Sequence, residues 1–376
     1  MDMIKRLGEI CNIVSGGTPS RTQTKFWENG NIPWIKIGDI KSKYVNEANE
    51  HITQEGLDGS SAKLLQKGTI LYTIFATLGE VGILTIEACT NQAIAGITIK
   101  NQEEVLPDYL YYYLKSKKAH INEIGRGVAQ NNINMSILRG LNVPLPSVQN
   151  QQKIAEILDM ISNLIVKHKQ QLEKLDELIK ARFVEMFGNI AETVPLSYYI
   201  SALSAGKSLA GEEECSNKVL KTGAATYDYF DSTQIKNLPV DYEPQEEHRV
   251  NTGDVIISRM NTSELVGAAA YVWEAPKCTY LPDRLWRAEI KDTACPIFVW
   301  QVLIQSSTKE SIRRIASGTS GSMKNISKPG LLGIRVNKVP LELQNQFATF
   351  VKQIDKSKVA VQKEFILRNT GIYLTA

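Results

Sequence analysis

The sequence is poor in the residues that build metal centres, covalent frameworks and membrane spans. Its five cysteines, Cys11, Cys89, Cys215, Cys278 and Cys295, are scattered without a C-x-x-C pair, and it has only four histidines. This distribution argues against zinc and against a disulfide framework. No apolar run reaches the roughly 18 residues of a membrane span. The apolar run within the N-terminal segment "MDMIKRLGEICNIVSGG" is too short for a signal peptide. We therefore expect a cytoplasmic protein that does not associate with membranes and binds no metal itself.

Motifs for nucleotide and methyl-donor chemistry are also missing. The segment "SALSAGKSLAG" ends like a phosphate-binding loop at Gly206-Lys207-Ser208, but the first glycine of that motif would fall on Ser201. Serine is poorly suited to a turn with positive φ, and no apolar helix follows. The chain contains neither an Asn/Asp-Pro-Pro-aromatic tetrapeptide nor a G-x-G-x-x-G after a strand. The sequence therefore predicts a non-catalytic chain without a cofactor of its own.

Positively and negatively charged residues occur in nearly equal numbers. There are 43 Lys and Arg against 40 Asp and Glu, which gives a formal net charge of +3. No segment forms a basic tail. If the protein binds nucleic acid, it must do so through local patches of placed Lys and Arg on folded domains.

What the sequence does contain is a repeat. "QKGTILYTIFATLGEVGIL" (66–84) resembles "NTGDVIISRMNTSELVGAA" (251–269), and "AQNNIN" (129–134) resembles "SMKNIS" (322–327). In each half, short β-branched strands precede a helix, a Gly/Asn/Ser loop and a proline before a long helix, which indicates mixed α/β domains. A length of 376 residues fits two such domains. The alternative is two unrelated domains with chance similarity.

The first long helix has a heptad pattern that begins after Pro144 and Pro146 and stops at Gly188. Its seam consists of Ile154, Leu158, Ile161, Ile165, His168, Leu172, Leu175 and Ile179. Alternating steps of four and three residues are typical of a helix that packs on one partner helix. A helix over 147–187 would be about 60 Å long, and its apolar seam would not remain in water. We interpret His168 as a polar layer that sets the register.

The second half supplies a partner helix with the same rhythm, in which Lys358 occupies one seam position. Its apolar seam residues are Phe347, Val351, Ile354, Val361 and Phe365. We therefore predict an antiparallel pair of helices within the chain. The predicted segments are a first domain at 1–146, a helix at 147–187, a second domain at 188–341, a helix at 342–370 and a tail at 371–376. The alternative is that both are ordinary helices packed in one core.

A metal-dependent nuclease is the competing catalytic interpretation. In "LPDRLWRAEIK", Asp283, Glu289 and Lys291 have the residue types that hold Mg²⁺ and orient a water. The equivalent stretch "NQAIAGITIK" of the first half has Gln92 and Thr98 at the positions of the two carboxylates. Any role that this segment has in both halves therefore does not require a metal.

Polar and basic residues beside glycines are suited to DNA, because Arg pairs with guanine, Asn and Gln pair with adenine, and hydroxyl groups contact phosphate. The candidates in the first half are Gly17, Thr18, Ser20, Arg21, Trp34, Lys36, Arg126, Gln130, Asn131 and Asn132. The candidates in the second half are Lys207, Ser208, Lys221, Thr222, Arg259, Asn261, Arg284, Ser320, Ser322, Lys324 and Asn325. The alternative is that these residues only form turns.

The ordered set of motifs resembles the specificity subunit of type I restriction-modification systems. The resemblance rests on the openings "LGEICNIVSGGTPSRTQTKFW" and "VPLSYYISALSAGKSLAG", on "LPDYLYYYL", and on "QNQ" at the start of both long helices. The second of these starts has Thr349 where the first has Ile, and the second helix ends in the less regular "FILRNTGIYLTA".

The resemblance implies two α/β target-recognition domains in a pseudo-two-fold repeat. Each would read half of a bipartite sequence in double-stranded DNA, and an antiparallel coiled coil would act as a ruler between them. Two copies of a modification subunit that binds S-adenosylmethionine and methylates adenine would dock, and an ATP-driven restriction subunit could join them. S-adenosylmethionine, ATP and Mg would then belong to the partners. The rivals are a self-sufficient nuclease and a scaffold that binds only proteins.

Overall fold

The computed structural model describes residues 3–126, 132–318 and 323–373, the side chains of residues 125, 126 and 362–373 excepted. These residues form two compact units, Met1–Val166 and Lys167–Ala376, which are taken in turn. Among the helices of the described ranges, none combines the length and the apolar content that a bilayer crossing requires.

The first unit is built mainly from short strands. Its strands are β1 (Met3–Arg6), β2 (Cys11–Ser15), β3 (Ile32–Ile35), β4 (Tyr44–Val45), β5 (Glu50–Ile52), β6 (Ile70–Thr73), β7 (Val81–Leu84), β8 (Cys89–Thr90), β9 (Ile94–Ile99) and β10 (Asn142–Leu145). Its helices are α1 (Leu7–Ile10), α2 (Gln54–Asp58), α3 (Pro107–Ser116), α4 (Lys118–Arg126), α5 (Met135–Arg139) and the first part of α6 (Val148–Phe187).

Three sheets organise these strands. The largest has the order β2-β9-β6-β7-β4, the second is β5-β3-β8, and β1 pairs with β10. In the second sheet β3 runs antiparallel to β5 and parallel to β8. Strand β6 is buried along its whole length, which explains why "ILYT" reads as a continuous run without polar alternation. Its Ile70 and Tyr72 pack with Leu110 of α3 in the main core of the unit.

The second unit repeats this arrangement with some additions. Its strands are β11 (Thr193–Pro195), β12 (Ile200–Ser204), β13 (Lys218–Leu220), β14 (Ile235–Asn237), β15 (Val255–Ser258), β16 (Met260–Asn261), β17 (Ala269–Tyr271), β18 (Thr279–Tyr280), β19 (Leu285–Ile290), β20 (Lys324–Asn325) and β21 (Arg335–Asn337). Its helices after α6 are α7 (Pro296–Ile304), α8 (Ser306–Ile315), α9 (Lys328–Leu332) and α10 (Leu341–Tyr373).

The sheet orders confirm the predicted repeat. The order β12-β19-β15-β17 reproduces β2-β9-β6-β7, the order β14-β13-β18 reproduces β5-β3-β8, and β11-β21 reproduces β1-β10. Strand β13 is again antiparallel to one neighbour and parallel to the other. Two unrelated domains would not share all three sheets, so chance similarity does not explain the repeat. The prediction of two mixed α/β halves is confirmed.

Both long helices occur close to the predicted bounds. Helix α6 contains 40 residues, begins one position after the predicted start and ends before Gly188. At 1.5 Å per residue it is about 60 Å long. Helix α10 runs Leu341–Tyr373, so it extends three residues into the predicted tail.

The start of α6 is fixed by one buried glutamine. The side-chain oxygen of Gln151 accepts a hydrogen bond from the Leu106 amide at 2.9 Å. Its side-chain nitrogen donates to the carbonyls of Glu104 at 2.9 Å and Pro146 at 3.0 Å. Leu106 is the N-cap residue of α3, so Gln151 satisfies one backbone group that this helix start leaves open.

The start of α10 has the same device. Gln344 accepts from the amide of Cys295, the N-cap residue of α7, at 2.9 Å and donates to the Val339 carbonyl at 2.8 Å. The equivalent glutamines are thus the third residue of the first "QNQ" and the first residue of the second. Both helix starts contain the sequence "QNQ", but an alignment of the two motifs is offset by two residues from the alignment of the two structures.

Within the second unit, the last part of α6 pairs with α10. Ile179, Phe347 and Val351 are buried together in one core. The Phe183 ring lies 5.5 Å from the Phe347 ring, and Lys358 donates to the Asp176 carboxylate. As the residue number increases along α6, the residue number of the contacting partner on α10 therefore decreases, so the two helices run in opposite directions. The predicted antiparallel pairing is confirmed for this part of the helices.

Other seam residues are less buried than the prediction requires, and the alternative of ordinary core helices holds in part. The aromatic end of the pair, Phe183 with Phe187 and Phe347, belongs to the core of the second unit. His168, Leu172, Leu175, Ile354 and Val361 are half-buried. Phe365 has a side chain outside the described residues, so its place in the seam stays a prediction.

The prediction that Ile154 and Ile165 lie buried in the seam is wrong. Ile154 is 39% exposed and Ile165 is 45% exposed, while Leu158 and Ile161 are half-buried. Here a different face of the helix contacts the first unit. Gln151 and Ala155 are buried, and the Asp159 carboxylate accepts hydrogen bonds from Lys43 and Tyr112. Gln151, Ala155 and Asp159 are spaced by four residues and therefore share one helix face. Ile154 does not belong to this series and lies at the side of that face.

Candidate nucleic-acid interface

The glycine pair of the first unit lies in a tightly packed loop. The Gly17 amide donates to the Thr90 carbonyl at 2.9 Å, and its carbonyl accepts from the Trp34 indole at 2.9 Å. A Cβ atom at Gly17 would lie 2.4 Å from the carbonyl carbon of Ser61. Both backbone groups are therefore occupied and the residue is buried. The prediction that this turn exposes Gly17 to DNA is wrong, because the glycine permits close packing instead.

Trp34 is also not a surface residue. Its side chain is only 3% exposed and packs with Ile52, Ala62 and Cys89. Because β3 is the central strand between β5 and β8, a large apolar ring on it is covered by its neighbours. The predicted contact of Trp34 with DNA is therefore wrong. The ring instead lies edge-on to Trp27, with centroids 5.0 Å apart and an interplanar angle of 86°.

Arg21 and Lys36, both predicted contacts, are brought together on the surface by one carboxylate. Arg21 donates to one oxygen of Glu50 and Lys36 donates to the other. The guanidinium carbon of Arg21 lies 3.6 Å from the centroid of the Trp27 ring. The Arg21 side chain remains 52% exposed and that of Lys36 39% exposed. Hereafter we call Arg21, Trp27, Lys36 and Glu50 the Arg21 cluster.

The Arg21 cluster is charged at neutral pH. The hydrogen bond from Lys36, followed by that from Arg21, lowers the pKa of the Glu50 carboxyl below its ordinary value of 4.5, although partial burial opposes the shift. Glu50 and Trp27 were not identified from the sequence. No local signal identifies Glu50, because it comes from a paired strand 29 residues after Arg21.

Hydroxyl groups surround the same loop. Thr18 is half-buried and donates to the side-chain oxygen of Gln92. Ser20 is exposed, and its hydroxyl lies 2.9 Å from that of Thr22. Ser20 therefore lies on the surface next to Arg21, and its contact with DNA stays a prediction, whereas the Thr18 hydroxyl is directed to another side chain.

In the second unit, Lys207 and Ser208 lie on an exposed loop. The Ser208 hydroxyl donates to the carboxylate of Asp283, whose own amide donates back to Ser208 at 3.2 Å. The Gly206 amide donates to the Pro282 carbonyl at 3.1 Å. Residues 205–217 contain no helix, so the arrangement lacks the helix start of a phosphate-binding loop.

The nuclease interpretation does not fit this geometry. Glu289 accepts from Arg287 at 3.0 Å, and Lys291 donates to the Ser197 carbonyl at 2.8 Å. Four residues of β19 rise about 13 Å before Glu289, which keeps it away from Asp283. In the part of the chain that the structure describes, no three His, Cys, Asp or Glu side chains could hold a metal together.

Two segments of the second unit that are far apart in the sequence, and that both carry predicted DNA contacts, are joined by a short strand pair. Strand β16 pairs with β20, which sets Asn261 opposite Lys324 and brings Asn325 beside them. The Arg259 carbonyl accepts from the amide of Ile326 at 3.1 Å. Arg284 lies next to this strand pair, since its carbonyl accepts a hydrogen bond from the Arg259 amide at 3.1 Å. Its side chain is exposed.

The first unit has the same loop contact in a shorter form. The Ile133 amide donates to the Ile74 carbonyl at 3.0 Å, and Asn132 forms a bridge with Phe75. Asn132 therefore occupies the place of Asn325 in the repeat. Arg126 has a side chain outside the described residues, and Gln130, Asn131, Ser320 and Ser322 lie outside them altogether, so these contacts stay predictions.

An exposed aromatic pair in the second unit was missed. Tyr227 and Tyr229 are 66% and 56% exposed, and their rings stack with centroids 6.4 Å apart. Between them Asp228 adopts a φ of +64° and accepts from the Ala269 amide at 3.2 Å. The alternating aromatics of "TYDYF" in a loop were the available signal, since exposed rings can stack on nucleic-acid bases.

The predicted neighbours of this pair lie on the same segment. Lys221 is exposed, and its contact with DNA stays a prediction. Thr222 is half-buried, and its carbonyl accepts from the Thr226 hydroxyl at 3.0 Å.

Comparison with known proteins agrees with this arrangement of sheets and loops. Residues 3–177 match the family described as the type I restriction modification DNA specificity domain. The MjaVIII specificity subunit of Methanocaldococcus jannaschii is 24% identical over 390 aligned positions, which cover 96% of this chain and 88% of that protein. Residues 3–177 are therefore similar to the DNA specificity domain of type I restriction-modification systems, and nearly the whole chain is similar to one specificity subunit.

Two other specificity subunits are more similar over a shorter length. The MjaIX subunit of M. jannaschii is 32% identical over 189 residues, which cover 49% of this chain and 43% of that protein. The EcoR124I/EcoR124II subunit of Escherichia coli is 30% identical over 187 residues, which cover 48% of this chain and 45% of that protein. These two alignments span less than half the length of either relative.

Two solved structures from type I restriction-modification systems share the fold. The type I S subunit from M. genitalium matches with a TM-score of 0.58 at 16% identity, covering 98% of this chain and 94% of that one. A chain from a structural study of type I R-M complex assembly matches with a TM-score of 0.54 at 14% identity, covering 99% and 95%. The likeness in fold therefore extends over nearly the whole chain.

Proposed function

We propose that this chain reads a bipartite DNA sequence, with one half-site recognised by residues 1–146 and the other by residues 188–341. The observation that carries the proposal is the duplicated sheet order, which gives each half the same set of loops. Exposed basic and aromatic side chains on those loops, together with half-buried amide side chains, are of the kinds that contact base edges and phosphates. The chain itself catalyses no step.

The two long helices act as the ruler of this reader. Base readout in the major groove requires that two recognition domains keep a defined spacing along the duplex. A helix pair that buries an apolar seam is stiff enough to hold such a spacing. The number of unspecified base pairs between the half-sites then follows from the length of the pair.

The partners are two copies of a modification subunit that methylates adenine, joined by a restriction subunit where one is encoded. The helix starts fixed by the buried Gln151 and Gln344 are equivalent in the repeat, and a repeated chain offers two equivalent surfaces to two identical partners. S-adenosylmethionine binds to the modification subunits, and ATP and Mg serve the restriction subunit.

The test is a selection of preferred sites from a pool of random DNA duplexes with the purified full chain. We expect two specified blocks separated by a gap of fixed length, with an affinity that falls as salt rises because counterions are released. A single contiguous block would contradict the two-reader proposal. Binding that is absent or blind to sequence would favour a scaffold that binds only proteins.

The nuclease rival is tested separately with plasmid DNA and Mg²⁺. We expect no cleavage by the purified chain. Cleavage that disappears in the Asp283→Ala variant would overturn the non-catalytic assignment.

A further inference from the structure

We infer that Arg21 is a specificity-determining residue that reads a guanine in the half-site of the first unit. The inference rests on the proposed function and deepens it, because it names one base and the residue that selects it. Trp27 and Glu50 are positioning residues that hold the guanidinium before DNA arrives.

The face of the guanidinium is fixed by stacking on Trp27. Its carbon atom lies 3.6 Å from the Trp27 ring centroid and 5.0 Å from that of Trp34. The same two indoles hold the loop that carries the arginine. Trp27 donates to the Ser20 carbonyl at 3.1 Å and Trp34 donates to the Gly17 carbonyl at 2.9 Å. Backbone and side chain of Arg21 are therefore held by one pair of rings.

The edge of the guanidinium is fixed by Glu50. One terminal nitrogen of Arg21 donates to the carboxylate, and among residues 3–126, 132–318 and 323–373 no second hydrogen-bond acceptor of Arg21 is present. Arginine has five N–H donors in a rigid fork, so one pairing leaves donors for a ligand. The side chain is 52% exposed, which leaves these donors in solvent. A fork fixed on one face and one edge loses little entropy on binding.

The preference of Arg21 for a base over a phosphate rests on the planar fork and not on charge, because Arg21, Lys36 and Glu50 together carry a net charge of +1. Guanine presents two acceptors, N7 and O6, in the major groove and matches the fork. Adenine presents an amino donor in place of O6, and that donor would face the N–H groups of Arg21.

Another cation of the first unit lacks this support and serves as a matched control. Lys25 pairs with Glu55 at 3.0 Å, and their side chains are 63% and 65% exposed. Its ammonium lies 5.5 Å from the Phe26 ring centroid. Lysine is a flexible point charge without a planar fork, so Lys25 is expected to contribute only attraction that is blind to sequence.

The test compares site selections by the full-length wild type with those by the Arg21→Lys, Glu50→Gln and Lys25→Gln variants. We expect a guanine in the first half-site, and a loss of preference on the order of 10-fold at that position alone in Arg21→Lys. Glu50→Gln should reduce the same preference while binding to random duplex becomes tighter, because one negative charge is removed. Lys25→Gln should weaken binding to all sequences equally.

Two results would overturn the inference. An Arg21→Lys variant that binds every sequence more weakly by the same factor would make Arg21 a phosphate contact. A wild type that specifies both half-sites without a guanine dependent on Arg21 would remove its role in readout. Selection by the wild type of no sequence at all would instead refute the proposed function.

A measurement on the unaltered protein covers the case in which a variant fails to fold. In the selected duplex, the guanine is replaced by 7-deazaguanine, which lacks the N7 acceptor. We expect wild-type affinity to fall on the order of 10-fold at this position, and far less for the same replacement at a guanine in the gap. Equal affinity for both duplexes would overturn the inference.

Discussion

At the scale of single residues, the clearest structural role belongs to two buried glutamines. Gln151 and Gln344 each satisfy the open backbone amide at the start of a neighbouring helix. A buried amide that loses its partner costs more than an ordinary hydrogen bond contributes, because it is not rehydrated.

We predict that Gln151→Ala and Gln344→Ala each lower the free energy of unfolding by about 1–3 kcal/mol. Their matched controls are Gln149→Ala and Gln346→Ala, which alter exposed glutamines of the same two motifs and should change it by less than about 0.5 kcal/mol. Urea denaturation measures all four. If Gln149→Ala lowered stability as much as Gln151→Ala, the conclusion that Gln151, and not Gln149, is the structural equivalent of Gln344 would be contradicted.

A second prediction at this scale concerns pH. The pKa of Glu50 is lowered in the folded protein by Lys36 and then by Arg21, so the ionised carboxylate stabilises the fold. That stabilisation is fully present above the unfolded pKa and is lost as pH falls through the folded pKa. We expect the stability difference between wild type and Glu50→Gln to stay constant from neutral pH to the ordinary glutamate value of 4.5 and to decrease only below it.

The measurement is urea denaturation of both proteins over a series of pH values. Glu55→Gln, which alters the exposed partner of Lys25, is the matched control and should change stability by less than about 0.5 kcal/mol. A difference that already declines well above the ordinary glutamate value would show that Glu50 is not held by these two cations.

At the scale of elements, the helix pair has two kinds of contact. Aromatic packing of Phe347 with Phe183 and Phe187 attaches it to the second unit. The ion pair of Lys358 with Asp176 fixes the direction of the pairing but involves a carboxylate that is 56% exposed. Exposed ion pairs contribute little to stability, so packing dominates.

We predict that Phe347→Ala lowers the free energy of unfolding by about 3–5 kcal/mol, because it empties a fully buried site. Lys358→Ala should lower it by no more than about 1 kcal/mol. Thermal or urea denaturation of the two variants distinguishes these effects. Comparable losses would mean that the ion pair, and not the aromatic core, holds α10 in place.

The elements also show where periodicity is a sufficient guide and where it is not. Alternating steps of four and three predicted the length of α6 and its pairing near Ile179. They failed at Ile154 and Ile165, because the helix there contacts the first unit through Gln151, Ala155 and Asp159. An apolar spacing specifies a face, but the neighbour that covers that face is a tertiary property.

At the scale of the whole molecule, the ruler makes a prediction about DNA. Removal of the heptad Leu172 to Leu178 from α6 preserves the spacing of the seam and shortens the helix by about 10 Å. We expect the variant to select the same two half-sites with a gap shorter by about three base pairs. Site selection from random duplexes measures both properties in one experiment. An unchanged gap would refute the ruler, and altered half-sites would show that the deletion disturbs the readers.

The sequence by itself determined the duplication, the positions of the two long helices and the resemblance to type I specificity subunits, because each depends on local spacing and on motif order. It also indicated Arg21, Lys36 and Arg259 as candidates, since residue type within a loop-like stretch of sequence is local information. Only the tertiary structure decided that Trp34 is buried, that Gly17 is packed, and that Glu50 joins Arg21 to Lys36. These facts depend on which strands pair, and strand pairing joins residues far apart in the chain through contacts that no local pattern encodes.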